Sequence, residues 1–171
     1  DKSLSAVSGH KVVVRLLNKI DNINYKGAII KILGHVDDPG VDILSIAAKY
    51  EIEDEFPREV EEQLKDIPDH VLEHEYEGRT DLREEVIFTI DGDDTKDIDD
   101  AISIEKLDNG NYKLGVHIAD VSYYVTEHSA LDEEAYKRGT SVYLANTVIP
   151  MLPHQLSNGI CSLNPNVDRL A

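Results

Sequence analysis

The run AISIEKLDNGNYKLGVHI, residues 101–118, constrains the fold more than any other stretch of the chain. Two segments rich in apolar and β-branched residues flank Asn109-Gly110, a dipeptide suited to the positive-φ positions of a tight hairpin turn. Strands joined by so short a connection run antiparallel, because a parallel pair needs a crossover of roughly a dozen residues or more. The hairpin begins where an acidic loop ends. Any chemistry the loop carries is therefore predicted to sit on an antiparallel sheet.

That loop follows the strand-like run VIFTI and holds six aspartates in the ten positions 91–100, DGDDTKDIDD. Unit charges about 4 Å apart repel by roughly 4 kcal/mol at an effective dielectric near 20, so converging carboxylates open the loop or take up protons. A solvated surface loop, a calcium loop and a magnesium-dependent catalytic site are the three readings to separate. The calcium loop fails on geometry: counting from Asp91, positions six and twelve hold Lys96 and Ile102 where an EF-hand needs glycine and a bidentate glutamate. A strand ending in Asp91-Gly-Asp93-Asp94-Thr95 also resembles the haloacid-dehalogenase-like phosphatase motif, with Asp91 as nucleophile and Asp93 as general acid. That fold requires a helical crossover after the motif, and the hairpin speaks against one. The remaining reading takes the string Asp91-x5-Asp97-x-Asp99-Asp100 as carboxylates for a hard divalent cation acting on a phosphodiester.

Composition sets the frame. With 171 residues and 41% hydrophobic content the chain can bury a core, and no apolar run approaches the roughly 18 residues of a membrane span. No membrane partner and no organic cofactor are expected. The single Cys161 cannot form an internal disulfide, which suits a cytoplasmic location. The net charge of -17 is unevenly spread: residues 1–35 hold six bases and two acids, residues 51–100 five bases and twenty-one acids. A basic N-terminal segment keeps polyanion binding open in an acidic chain. Lys11, Arg15, Lys19, Lys26 and Lys31 either follow nucleic-acid phosphates or solubilise a strand surface.

Along the chain, HKVVVRLLNK and YKGAIIKILG read as a hairpin of a small β-domain, too few strands to close a barrel. After Pro39-Gly40 a helix is predicted with Ile43, Ile46, Ala47 and Tyr50 on one face, and a second from Pro57 through Ile67, with Val60, Leu64 and Ile67 on one side and acids on the other. The acidic stretch 51–80 reads as a solvated helical linker without chemistry. His70 and His74 stand four apart as helical metal ligands can, but no third ligand accompanies them. His117 and Asp120 either border the loop or partner backbone and core. A further helix is predicted from Ser129, with Asp132 three residues on as a capping-box variant, to Gly139. The tail from Ser141 reads as an ordered loop region wrapping another part of the chain.

The strings FTIDGDDTKDIDDA, GVHIADVSYYV, LDEEAYKRGTSVYL, VIPMLP and CSLNP with Arg169 together resemble the start of the catalytic domain of the ribonuclease II and ribonuclease R family, more closely ribonuclease R. VDILSIAAKY and GRTDLR resemble that family's junction, and residues 1–35 the end of its second cold-shock domain. The resemblance implies an α+β chain: residues 1–47 as the C-terminal part of an OB-type cold-shock domain, 48–80 as a helical linker, and 81–171 as the N-terminal part of a mixed α/β catalytic domain. It implies processive, magnesium-dependent 3′-to-5′ hydrolysis of single-stranded RNA to nucleoside 5′-monophosphates. By position, Asp91, Asp97 and Asp100 become metal ligands and Asp97 and Asp99 the carboxylates of the chemical step. Tyr143 becomes an aromatic stacking on an RNA base, and Arg169 a phosphate contact. The family's later catalytic arginine and glutamate have no counterpart before Ala171, so the resemblance implies a fragment without activity of its own. A metal-binding or RNA-binding module without catalysis is the alternative of another class.

Overall fold

A computed structural model describes residues 4–145 and 147–171, so the first three residues of the basic segment lie outside the described residues. The chain divides into two compact units, one of residues 1–55 with 143–149 and the other of residues 56–142 with 150–171.

In the first unit β1 (His10–Lys19) and β2 (Tyr25–His35) form an antiparallel pair, in register from His10 opposite His35 to Lys19 opposite Tyr25. Three register irregularities add twist along this ribbon. The connection is held by Asp21, whose carboxylate accepts the backbone N–H groups of Ile23 and Asn24, each at 2.8 Å. Among the described residues the pair makes a two-stranded sheet and no barrel.

Helix α1 (Val41–Lys49) forms where expected, but its buried face is rotated. Ile46 and Tyr50 are exposed, whereas Val41 and Ala47 are buried. Val41 sets the rotation: it packs against Gly34 of β2, where any Cβ would collide with it. In the basic segment Lys31 pairs with Asp54, so one of the five candidate phosphate-following bases is already partnered.

The second unit is built around Val60, Val71, Tyr124, Leu131, Leu156, Ile160, Cys161 and Leu170. Helix α2 (Arg58–Leu64) starts after Pro57 as expected but ends a turn early, because Ile67 precedes Pro68 and the residue before proline is driven out of the helical region. Val60, Leu64 and Ile67 join the core. The acidic stretch is thus less helical and less solvated than its composition suggests. Glu75 is itself buried, its carboxylate accepting the Leu72 N–H at 2.6 Å and the Tyr124 hydroxyl at 3.3 Å.

Three strands follow in the order β3 (Ile87–Phe88), β4 (Asp100–Lys106), β5 (Tyr112–Ile118), all antiparallel. The Asn-Gly hairpin is present, with Asp100 opposite Ile118 and Lys106 opposite Tyr112. This antiparallel order overturns the doubly wound parallel sheet that a phosphatase reading requires. Strand β3 keeps only two residues of the expected run 86–90. Its register would set Ile90 opposite Asp100, where the chain is already in the loop.

After the single turn α3 (Val121–Tyr124), helix α4 (Ala130–Arg138) runs between its expected caps. Ser129 Oγ accepts the Asp132 N–H at 3.2 Å, and Gly139 closes the helix at φ 72°. The Asp132 carboxylate reaches one residue further back than a capping box would, to the His128 N–H at 2.9 Å. Two short strands, β6 (Val142–Tyr143) and β7 (Val148–Ile149), pair next, and a wide helical turn, Gln155–Ile160, breaks at Gly159. No helix among the described residues is long and apolar enough to cross a membrane.

Candidate active site: the acidic loop

The loop between β3 and β4 has two halves. Residues 91–95 are exposed and carry one turn, in which Thr95 N–H donates to the Gly92 carbonyl at 3.0 Å. Residues 96–100 are pinned. Ile98, the one apolar residue among them, is buried at 9% exposure and holds the chain down between Asp97 and Asp99. In an extended segment neighbours point to opposite sides, so burying Ile98 presents the carboxylates of Asp97 and Asp99 away from the core.

The tail supplies the pins. Leu163 N–H donates to the Ile98 carbonyl at 2.8 Å, while Ala119 N–H, just after β5, donates to the Asp99 carbonyl at 3.0 Å. The Ser162 hydroxyl accepts the Ile98 N–H at 3.0 Å and donates to the Lys96 carbonyl at 2.9 Å. The tail is fastened in turn: Leu170 O accepts the Asp120 N–H at 2.9 Å, and the Asp168 carboxylate accepts from the Tyr76 hydroxyl at 2.9 Å and from Arg83 at 3.3 Å. What the tail wraps is the acidic loop.

Asp99 reports the crowding. Burial raises its carboxyl above the usual range, and the negative charges of Asp97, Asp100 and Asp91 raise it further. The other three carboxylates singled out by spacing therefore all act on Asp99. Asp93 and Asp94, which lie within the x5 interval between Asp91 and Asp97, are not among the charges that shift Asp99. As hard oxygen donors in mutual repulsion the four suit a divalent cation by chemistry. In this conformation they are not gathered into a closed cage: among the described residues no three His, Cys, Asp or Glu side chains converge closely enough to hold an ion.

The other candidates fall elsewhere. Tyr143 lies in β6, 68% exposed, and belongs to the first unit. Arg169 donates through Nε to the Ser162 carbonyl at 2.9 Å and through Nη1 to the Asp168 carbonyl at 2.8 Å, so its guanidinium helps fasten the tail. Asp120 binds Arg79, Nη2 to Oδ2 at 2.6 Å, and accepts from the Ser122 hydroxyl at 3.0 Å. His117 Nε2 lies 2.9 Å from Ser103 Oγ across the hairpin, in space left by Gly115, where a Cβ would overlap both. His70 lies beside Asp69 on the exposed surface, 2.6 Å from Nδ1 to Oδ1. Cys161 is buried, and that burial pushes its thiol up to about 11, with Arg169 opposing and Asp120 and Asp99 adding to the rise. Sequence reasoning missed Ser162 and Arg79. Both sit inside strings quoted for their likeness, CSLNP and GRTDLR, and only the contacts reveal their partners.

Comparison with known proteins places this loop. The RNB domain family matches residues 79–171, which carry the loop, the hairpin and the tail. The chain belongs to the RNB domain family. A cold shock domain precedes the RNB segment, matching residues 1–57. The chain is 59% identical to ribonuclease R of Thermotoga maritima over 149 residues, which cover 86% of this chain and 21% of that relative. It is 44% identical to ribonuclease R of Escherichia coli over 171 residues, covering 99% of this chain and 21% of that one. Among solved structures, RNase R of Mycoplasma genitalium in complex with ribose-methylated single-stranded RNA superposes with a TM-score of 0.83 at 34% identity, over 97% of this chain and 26% of that one. The RNB chain described here thus spans about a fifth of the length of these curated relatives. An α+β architecture joining an OB-type cold-shock segment to an RNB segment is common to them.

Proposed function

We propose that this chain is part of an exoribonuclease of the ribonuclease R kind, acting processively from the 3′ end of single-stranded RNA, with magnesium, to release nucleoside 5′-monophosphates in the cytoplasm. The observation that carries the reading is the acidic loop itself: three carboxylates acting on Asp99, on backbone pinned by Ser162, Leu163 and Ala119, within the RNB match. Asp91, Asp97 and Asp100 would hold the cation, and Asp99, with Asp97, would belong to the chemical step. Bound there, a divalent cation supplies positive charge to the phosphate oxygens and to the attacking water. The chain's own part is to hold these carboxylates in place before substrate arrives, which is the work of Ile98 and the tail. Tyr143 is read as a stacking platform that tolerates any base, and Arg169 as a phosphate contact. In this reading residues 1–47 are the end of the OB-type domain, 48–80 the connection and 81–171 the start of the catalytic domain. On the same reading the 171-residue chain alone is expected not to turn over RNA.

The test places Asp99→Asn in a full-length protein carrying this segment. Hydrolysis of labelled single-stranded RNA should fall by about a thousandfold or more while RNA affinity stays within twofold, since a neutral isostere removes charge at the reacting phosphate without altering the groove. Wild-type turnover by this variant would remove Asp99 from the chemistry. Release of mononucleotides by the 171-residue chain would overturn its assignment as inactive.

A further inference from the structure

Ser162 is fully buried, and its hydroxyl makes two hydrogen bonds that bracket a single residue: it accepts from Ile98 N–H at 3.0 Å and donates to the Lys96 carbonyl at 2.9 Å. The bracketed residue is Asp97. A neighbouring strand would satisfy such a carbonyl and N–H with two separate backbone groups, whereas here one oxygen serves both, as a hydroxyl with one donor and two lone pairs can. The oxygen fixes the separation of the two groups and hence the backbone at Asp97. The same chain segment continues the pinning at Leu163, whose N–H meets the Ile98 carbonyl at 2.8 Å. Ser162 is itself held, its carbonyl taken by Arg169 Nε at 2.9 Å and its N–H donated to the Gly159 carbonyl at 3.1 Å.

We infer that Ser162 is a positioning residue for the acidic loop: its side-chain oxygen sets the backbone of Lys96–Ile98 so that the Asp97 carboxylate reaches a divalent cation, with Asp99 held beside it for the chemical step. The inference rests on the metal-site reading above. Losing the Ser162 bonds releases the backbone on both sides of Asp97, while Leu163 and Ala119 still hold the Ile98 and Asp99 carbonyls. A general packing role would lower stability without touching the cation. Groups that orient metal ligands typically weaken affinity about 10- to 100-fold when removed.

The experiment measures Mn2+ binding to the 171-residue chain by electron paramagnetic resonance, alongside amide hydrogen exchange at Ile98 and the melting temperature. Ser162→Ala should raise the Kd for Mn2+ about tenfold and speed exchange at Ile98. Val60→Ala, in the same core and away from the loop, should lower the melting temperature while leaving the Kd within twofold. Where the alanine variant does not fold, Ser162→Cys keeps most of the volume and offers only a weakly bonding thiol, with the same expected rise in Kd. Wild-type Mn2+ affinity in the Ser162 variant that folds, or an equal loss in Val60→Ala, overturns the positioning role. Absence of Mn2+ binding by the unaltered chain overturns the metal reading, and the positioning role with it.

Discussion

Arg79 Nη2 lies 2.6 Å from Asp120 Oδ2, tying the start of the RNB segment to the residue that follows β5 and its short continuation, forty-one positions later in the chain. Tyr123 stacks beneath the same guanidinium, 5.1 Å from its Cζ to the ring centre. The pair matters for the site because Asp120 also donates its backbone N–H to Leu170, one of the bonds that hold the tail against the loop.

Acid should loosen this tie. Burial on its own would raise the Asp120 carboxyl, but hydrogen bonds from Arg79 and Ser122, with the Arg79 charge, outweigh it and hold the carboxyl below its usual range. A depressed carboxyl contributes stability that is complete above the unfolded value, roughly pH 4, and is lost as pH falls through the lower folded value. Both side chains are about a quarter exposed, so Arg79→Ala should cost about 1–2 kcal/mol at pH 7, between the figures for exposed and buried pairs. Urea unfolding at pH 7 and pH 3 checks this: the gap between wild type and variant should shrink in acid. A gap that widens would show that Asp120 is not the partner that counts.

Arg138 and Glu134 form a more deeply buried pair on α4, 8% and 7% exposed, with Nε to Oε1 at 2.9 Å. The guanidinium also donates to the Pro150 carbonyl at 3.1 Å and lies 3.9 Å from the centre of the Phe56 ring. Arg138→Ala leaves the buried Glu134 carboxylate with Lys137 Nζ at 3.6 Å as its remaining ion pair and should lose about 3 kcal/mol. Replacing both residues by apolar ones of similar size, Glu134→Leu with Arg138→Met, should cost less than the single change. Chemical denaturation of the three proteins decides it, and a double variant weaker than the single one would refute the buried-charge account.

Tyr143 allows a test that separates holding from cutting. In a full-length protein carrying this segment, Tyr143→Ala should change the length of the last RNA product more than the rate on long substrate, because a stacking platform governs how short an RNA stays bound, at about 1–3 kcal/mol per base. Denaturing gels of a complete digest give the answer. An end product of unchanged length would take Tyr143 out of the RNA path.

How far these features were legible in the sequence depends on how local their causes are. The hairpin was readable because Asn109-Gly110 demands its own backbone geometry, and α4 because Ser129 and Gly139 are caps with a physical reason to sit where they do. The face of α1 was misjudged by a small rotation, since periodicity cannot know that Gly34 leaves room for Val41. The acidic stretch 51–80 looked solvated because its charges outnumber its apolar residues, yet Val60, Val71 and Glu75 are buried in it. The site split in the same way. Six aspartates in a row of ten announced the loop, but the bonds from Ser162, Leu163 and Ala119 that hold it join residues far apart in sequence, and no local pattern encodes them.

The loop's own electrostatics yield the last prediction. Asp91, Asp97 and Asp100 each push Asp99 toward its protonated form, so the empty loop stores repulsion that a cation would relieve. A ligand bound only by the folded chain stabilises it by mass action, about 1.4 kcal/mol at ten times its Kd, and the melting temperature should therefore rise with magnesium. Neutralising two of the four carboxylates with Asp91→Asn and Asp100→Asn should raise the melting temperature in the absence of magnesium and abolish the response to it. Asp93→Asn with Asp94→Asn is the matched control: two charges are again removed, neither of them among those that raise Asp99, so the response should persist. Thermal denaturation of the three proteins across a magnesium series separates the cases. Should the Asp91 and Asp100 pair of substitutions leave the magnesium response intact, the four carboxylates are a solvated acidic surface in this chain, and the repulsion at Asp99 has no part in binding a cation.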